Sequence, residues 1–273
     1  MGSNCCFGES RPEFKWSLDR EYTEFATPNE LKLVEQIRSQ TCVAFDIKSE
    51  HNRELLVSLW EAALPQDQVP NLDEPHDKWK YIGFQNARPE TDFRAAGVMG
   101  LHHQVNFAQK YPDLLGRILA EQRYPWAAAS INITEILVTH LKLRVPQPKI
   151  APIPMDTVYN LQAFTWVAAK AARDARSEDS AELIALDQLH CCGVLMLDHL
   201  WNQRLNRDRS TNLLHFKIAL METSAVIHHV LSRKPMSLQE MVSEFMKKLP
   251  PSYTRYIDNE SKLQPQTTEE PEM

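Results

Sequence analysis

Glycine is scarce in this chain and unevenly placed: of seven glycines in 273 residues, Gly83, Gly97 and Gly100 all fall between Trp79 and Leu101. A sequence that avoids glycine elsewhere and gathers it here needs unusual backbone angles or close backbone approach at this place. Pro89 fixes its own φ and biases Arg88 away from helical angles. The middle of the stretch W-K-Y-I-G-F-Q-N-A-R-P-E-T-D-F-R-A-A-G-V-M-G-L is therefore an ordered, non-helical loop. Thr91 and Asp92 are good helix caps, and regular apolar spacing begins just after them. Arg94 is thus expected where a shaped loop turns into a helix, with Asp92 as its candidate anchor. A guanidinium held in that way can be aimed at something.

The rest of the chain reads as helix. Thr27-Pro28-Asn29-Glu30 combines a cap, a proline at the first helical position and a glutamate three residues after the cap. Leu31, Leu33, Val34 and Ile37 follow at helical spacing. A second helix is expected from about Ser49 to Leu64, burying Leu55, Leu56, Leu59 and Trp60. Residues 65–78, with three prolines and several acids, form an exposed connection. Helices are expected from Gly97 to Lys110, from Pro112 and from Pro125, then from Asp156 to Arg176 and from Ser177 to Leu205. Thr211 caps one running to Leu231, and Ser237 with Glu240 boxes a last one that Pro250-Pro251 ends. Four prolines in 145–154 make a loop inside one domain, and no strand alternation or repeat is visible. The expected fold is all-α, a single multi-helix domain at 27–250 with one long ordered loop at 79–101. It follows a lead-in at 1–26 and precedes a polar tail at 251–273.

Composition excludes several function classes. A net charge of −6 and a pI near 5.9 argue against nucleic acid, whose phosphates need a basic face. No apolar run of about 18 residues is evident, so no membrane-spanning helix is expected, and the first ten residues are not a signal peptide. Five cysteines, with adjacent pairs at Cys5-Cys6 and Cys191-Cys192, suit a reduced, cytoplasmic setting rather than a disulfide framework. Phosphate-binding loops and the His-Glu-x-x-His zinc pattern are absent, so neither a nucleotide, a cofactor nor a metal is expected. His190-Cys191-Cys192 lies inside a helix, where successive residues point in different directions and small buried hydrophobes suffice. His102-His103 and His228-His229 are expected at or near the surface. Phe164 and Trp166 are expected in the core, and Trp79, Phe84 and Phe93 are expected to pack and hold the loop. From the residues alone, Arg94 reads first as a structural arginine that caps a neighbouring helix or pairs with Asp92 or Glu90, and only second as a functional one.

Gly2 follows Met1, with Cys5 and Cys6 close behind. The sixth residue departs from the myristoylation consensus, yet the combination resembles dually acylated N-termini, with myristate on Gly2 and palmitate on Cys5 and Cys6. One myristoyl chain gives marginal membrane binding and a second anchor makes it stable. A peripheral membrane location is the corresponding expectation.

The order Trp79, Gly83-Phe84-Gln85, Pro89 and Thr91-Asp92-Phe93-Arg94 resembles the signature of the ELMO domain, as does Tyr124-Pro125-Trp126 ahead of Ile131-Asn132-Ile133-Thr134. More narrowly it resembles the ELMO-domain-only activators of Arf-family GTPases, over roughly residues 60–145. The resemblance implies that Arg94 is the arginine required for activity, acting on a GTP-bound Arf or Arf-like protein, with no reaction of the chain's own. Ala95 stands where that pattern usually has glycine, while Gly97 is retained. ELMO domains also occur in non-catalytic scaffolds that join an exchange factor, and an adaptor is the alternative expectation.

Overall fold

In the computed structural model, residues 27–144, 156–175 and 181–256 are described. The expected lipidation residues Gly2, Cys5 and Cys6, the proline-rich stretch 145–154 and the tail beyond Tyr256 lie outside them. Helix α1, Pro28–Thr41, starts as its sequence dictates. Thr27 Oγ1 accepts the Glu30 N–H at 3.3 Å, and a Glu30 carboxylate oxygen accepts the Thr27 N–H at 2.6 Å. Each satisfies a backbone donor that the first turn leaves unpaired. Helix α2 is Glu50–Ala63 and buries Leu56, Leu59 and Trp60, with Leu55 only partly covered.

The chain then forms α3 (Lys78–Ile82), a 3₁₀ turn (Pro89–Arg94), α4 (Gly97–Lys110), α5 (Pro112–Glu121) and α6 (Trp126–His140). Beyond 155 come α7 (Asp156–Asp174) and α8 (Ile184–Arg207), the latter entered through a short 3₁₀ turn at Ala181–Leu183. After a second such turn at Leu213–His215 come α9 (Phe216–Ser232) and α10 (Leu238–Met246). Among the described residues there is no strand, and the protein is an all-α domain.

Helix α8 is the axis. It packs against α4, α6, α7, α9 and α10, and every residue from Gln188 to Asp198 is buried. A helix covered on all sides must be apolar all round. That makes the stretch Ala181–Arg207 long and apolar enough to cross a membrane, an exception to the expectation from the sequence. With 78% of its most apolar window buried inside the protein, it is a core helix.

His103 is another correction. It was expected near the surface but is fully buried, because α4 is covered by α2, α6 and α8. Its Nδ1 lies 2.8 Å from Thr134 Oγ1, and its ring stacks on His190 at 4.3 Å. Burial holds both imidazoles below their ordinary pKa, His190 at about 3. His102, half-buried beside them, is held above its ordinary value despite desolvation, by the hydrogen bond and charge of Asp187. Cys191 and Cys192 are buried, and their Sγ atoms accept the side-chain amides of Asn106 at 3.4 Å and Gln188 at 3.8 Å.

Three boundaries shift. Asn212, not Thr211, caps the helical run leading into α9, accepting the Leu214 N–H at 3.0 Å. Ser237 accepts the Glu240 N–H, but the Glu240 carboxylate turns to the N–H of Met236. Pro250-Pro251 does not end the ordered chain: residues 251–256 form another helical turn and bury Tyr253. Its hydroxyl donates to Asp198 at 2.6 Å, a buried carboxylate that also receives Arg117 and Tyr124. Each of the three donors lies 55 or more residues from Asp198 in sequence, so no local pattern announces the contact.

Candidate functional site

Gly83 explains how the loop between α3 and α4 is fixed. It ends α3 at φ +109°, a conformation side chains rarely adopt, and its N–H donates back to Lys80 and Trp79. A Cβ there would come well under 3.0 Å from the backbone of Trp126 and Ala127. The Gly83 carbonyl accepts the Ala128 N–H at 3.1 Å, so the end of α3 closes the start of α6. Gly97, at φ +59°, packs as closely onto the Val43 carbonyl, which accepts the Val98 N–H at 3.0 Å. The loop is pinned at both ends by backbone contact that only glycine permits. Ala95 has φ −90°, so alanine in place of glycine costs nothing in backbone strain there.

Between these pins runs a chain of aromatic contacts. Trp60 of α2 meets Trp79 at 4.9 Å, Trp79 meets Phe84 at 5.6 Å, Phe84 meets Phe93 at 5.7 Å, and Phe93 stacks on Phe45 at 5.0 Å. Trp79, Phe84 and Phe93 are all buried, so these rings form the loop's foundation. Phe45 was not evident in the sequence, because it lies in an irregular stretch with no periodicity.

The polar side chains of the loop bond mainly to the loop itself. Asp92 accepts the Gln85 N–H at 2.9 Å, and Thr91 Oγ1 accepts the Asn86 side-chain amide at 2.9 Å. Thr91 and Asp92 therefore lie inside the 3₁₀ turn and close the loop, where the sequence suggested caps for a longer helix. That helix, α4, begins at Gly97 with Ala96 before it and has no side-chain cap. Pro89 is buried, while Gln85, Asn86 and Arg88 are exposed and Arg88 pairs with Glu90 at 3.4 Å.

Arg94 is the last residue of the 3₁₀ turn and is exposed, its neighbour Phe93 turned inward. Its Nε donates to the Thr91 carbonyl at 2.8 Å. Among the described residues no carboxylate pairs with the guanidinium, so neither Asp92 nor Glu90 holds it. The two terminal nitrogens remain available to a group from outside, and two parallel donors suit a carboxylate or phosphate. Beside the start of α4 opens a cleft of about 320 Å³ lined by Val43, Asp46, Asn52, Val98 and His102 among others. No group of three or more metal-binding side chains occurs among the described residues.

A model of the ELMO/CED-12 family matches residues 35–216, well beyond the stretch whose resemblance was legible residue by residue. ELMO domain-containing protein C of Dictyostelium discoideum is 23% identical over 202 residues, 74% of this chain and 30% of that protein. ELMO domain-containing protein A of the same organism is 25% identical over 209 residues, 74% of this chain and 21% of its own length. Human ELMO domain-containing protein 2 is 32% identical over 114 residues, 40% of this chain and 37% of that protein. The chain thus spans less than a third of the first two relatives. No solved structure matches it.

Proposed function

The chain belongs to the ELMO/CED-12 family, and on that premise we propose that it activates GTP hydrolysis by an Arf-family GTPase, with Arg94 inserted into the partner's active site. GTP hydrolysis in such proteins is slow because charge developing on the phosphoryl and leaving oxygens is under-stabilised. A guanidinium supplied in trans is always protonated and offers two donors at once. It is worth about 10³–10⁵ in rate, or roughly 4–7 kcal/mol of barrier. The observation that carries this is the state of Arg94: exposed, held at Nε by its own turn, and unpaired with any carboxylate among the described residues. A structural arginine would spend its terminal nitrogens within the fold.

In this mechanism the chain performs no reaction alone. The aromatic foundation and the two glycine pins keep the turn from moving, so little ordering cost falls on complex formation. Asp92 and Thr91 act on loop shape, and the Thr91 carbonyl sets the guanidinium's direction. Myristate on Gly2 and palmitate on Cys5 and Cys6 would keep the protein on a membrane where a lipid-anchored GTPase is reached; Gly2→Ala then releases it to the soluble fraction, and unchanged partitioning removes this part.

The test is single-turnover GTP hydrolysis by a panel of Arf and Arf-like proteins with the chain added. Stimulation that Arg94→Lys abolishes is expected; equal stimulation by the variant rejects the finger. The second reading is a non-catalytic adaptor for a small GTPase or exchange factor. It is favoured by the length of the relatives, one named an ankyrin repeat and ELMO domain-containing protein of which this chain matches 8%. Stable binding to a GTP-locked partner without faster hydrolysis would select it.

A further inference from the structure

A second surface stands apart from the Arg94 loop. Leu213 is 57% exposed, Leu214 90%, Ile218 40% and Met221 62%, an unusual run of large apolar side chains left in solvent. Leu214, Lys217, Ile218 and Met221 follow at three- and four-residue spacing, which puts them on one side of the turn and of α9.

The leucines are held outward by a built turn. Asn212 accepts the Leu214 N–H at 3.0 Å, its carbonyl takes the His215 N–H at 2.9 Å, and its own N–H donates to His215 Nδ1 at 3.2 Å. Phe216, directly after, faces inward against Tyr124 and Trp201 at 5.5 and 5.2 Å and anchors the turn.

Cations outnumber acids around this face. Arg207, Arg209 and Lys217 are exposed, and no carboxylate of the described residues pairs with them. The acids nearby are engaged: Asp208 accepts the backbone N–H and hydroxyl of Ser210, and Glu222 is paired with Arg204. On a chain of net charge −6 this cationic, apolar spot is a local exception.

We propose that the face carrying Leu213, Leu214, Lys217, Ile218 and Met221 docks on an anionic lipid surface. Apolar side chains at the tip of a rigid turn enter the headgroup region, while flanking cations meet anionic headgroups, each worth about 1 kcal/mol near such a surface. A second copy of this chain fits poorly, because a two-fold contact would oppose the same cations. The inference does not rest on the GTPase reading or on acylation.

The test uses the full chain made in bacteria without acyltransferases, sedimented with vesicles of phosphatidylcholine alone or with about a third phosphatidylserine. Binding to the anionic vesicles only is expected, and it should fall steeply as salt approaches about 1 M, where the Debye length is about 3 Å. Leu213→Ser with Leu214→Ser should weaken it by about tenfold or more. Arg209→Gln and Lys217→Gln should each cost about fivefold. These positions are exposed, and circular dichroism checks that the variants fold. Absence of vesicle binding, or binding unchanged in the leucine pair, overturns the proposal. So does a dimer by light scattering that the leucine pair abolishes, which would make this face a contact between copies. GTP hydrolysis assayed without vesicles should not change in any of these variants, so the two proposals fail separately.

Discussion

Arg94 Nε donates to the carbonyl of Thr91 at 2.8 Å, so the guanidinium is tethered by the backbone of its own turn and not by a side chain. The tether fixes one nitrogen and leaves two. This arrangement gives direction without neutralising charge, which pairing with Asp92 would have done.

Arg94→Lys keeps the charge but cannot both reach the Thr91 carbonyl and present a fork. Its stimulation of hydrolysis should fall by about 10³-fold or more, with the unfolding free energy from urea titration within about 0.5 kcal/mol of the parent, as for most exposed substitutions. Stopped-flow phosphate release measures the first and fluorescence the second. A variant with parental activity would reject Arg94 as the inserted finger.

Asp92→Ala removes the acceptor of the Gln85 N–H. Because the loop shapes the finger without touching it, the saturating rate should drop by roughly tenfold to a hundredfold from misplacement. Asp92→Asn retains an acceptor oxygen and should recover most of it. If the half-saturating concentration alone changes, Asp92 meets the partner instead of shaping the loop.

Gly97→Ala forces a Cβ toward the Val43 carbonyl at a positive φ. The strain should cost about 1–3 kcal/mol, read as a lowered urea midpoint with unchanged slope. Gly116→Ala, where a Cβ meets nothing within 4 Å in the interior of α5, is the contrast and should be neutral or stabilising.

Stability should fall as pH drops below about 6.5. His103 and His190 are neutral in the fold and take up protons on unfolding, so below the unfolded pKa the unfolded state binds more protons and gains. For His190 the loss continues down toward its folded value of about 3. Each such group contributes up to about 1.4 kcal/mol per pH unit. His102 acts the other way: its raised pKa adds stability present below the unfolded value and lost as pH rises through the folded one. Urea titrations between pH 7 and pH 4 should show the net decline, and His190→Gln should flatten it by about one proton. An unchanged slope in that variant would mean the proton uptake lies elsewhere.

Local physics made much of this protein legible from its sequence. Caps and prolines act within a few residues, so Thr27, Pro112 and Pro125 marked helix starts, and 3.6-residue spacing marked the buried faces of α1 and α2. The glycine cluster correctly announced strained, closely packed backbone, because few other residues tolerate φ near +109° or +59°. What the glycines touch was not legible. Gly83 meets Trp126 and Gly97 meets Val43, and only the folded chain brings those backbones together. Likewise Asp92 could be seen as a partner for Arg94 because the two are separated by a single residue, whereas the 3₁₀ turn sends its carboxylate back to Gln85. His103, Asp198 and Tyr253 were misjudged or missed for the same reason. Burial depends on which helices cover a face, and that is settled by packing across 31 to 87 residues of chain, beyond the reach of any local pattern.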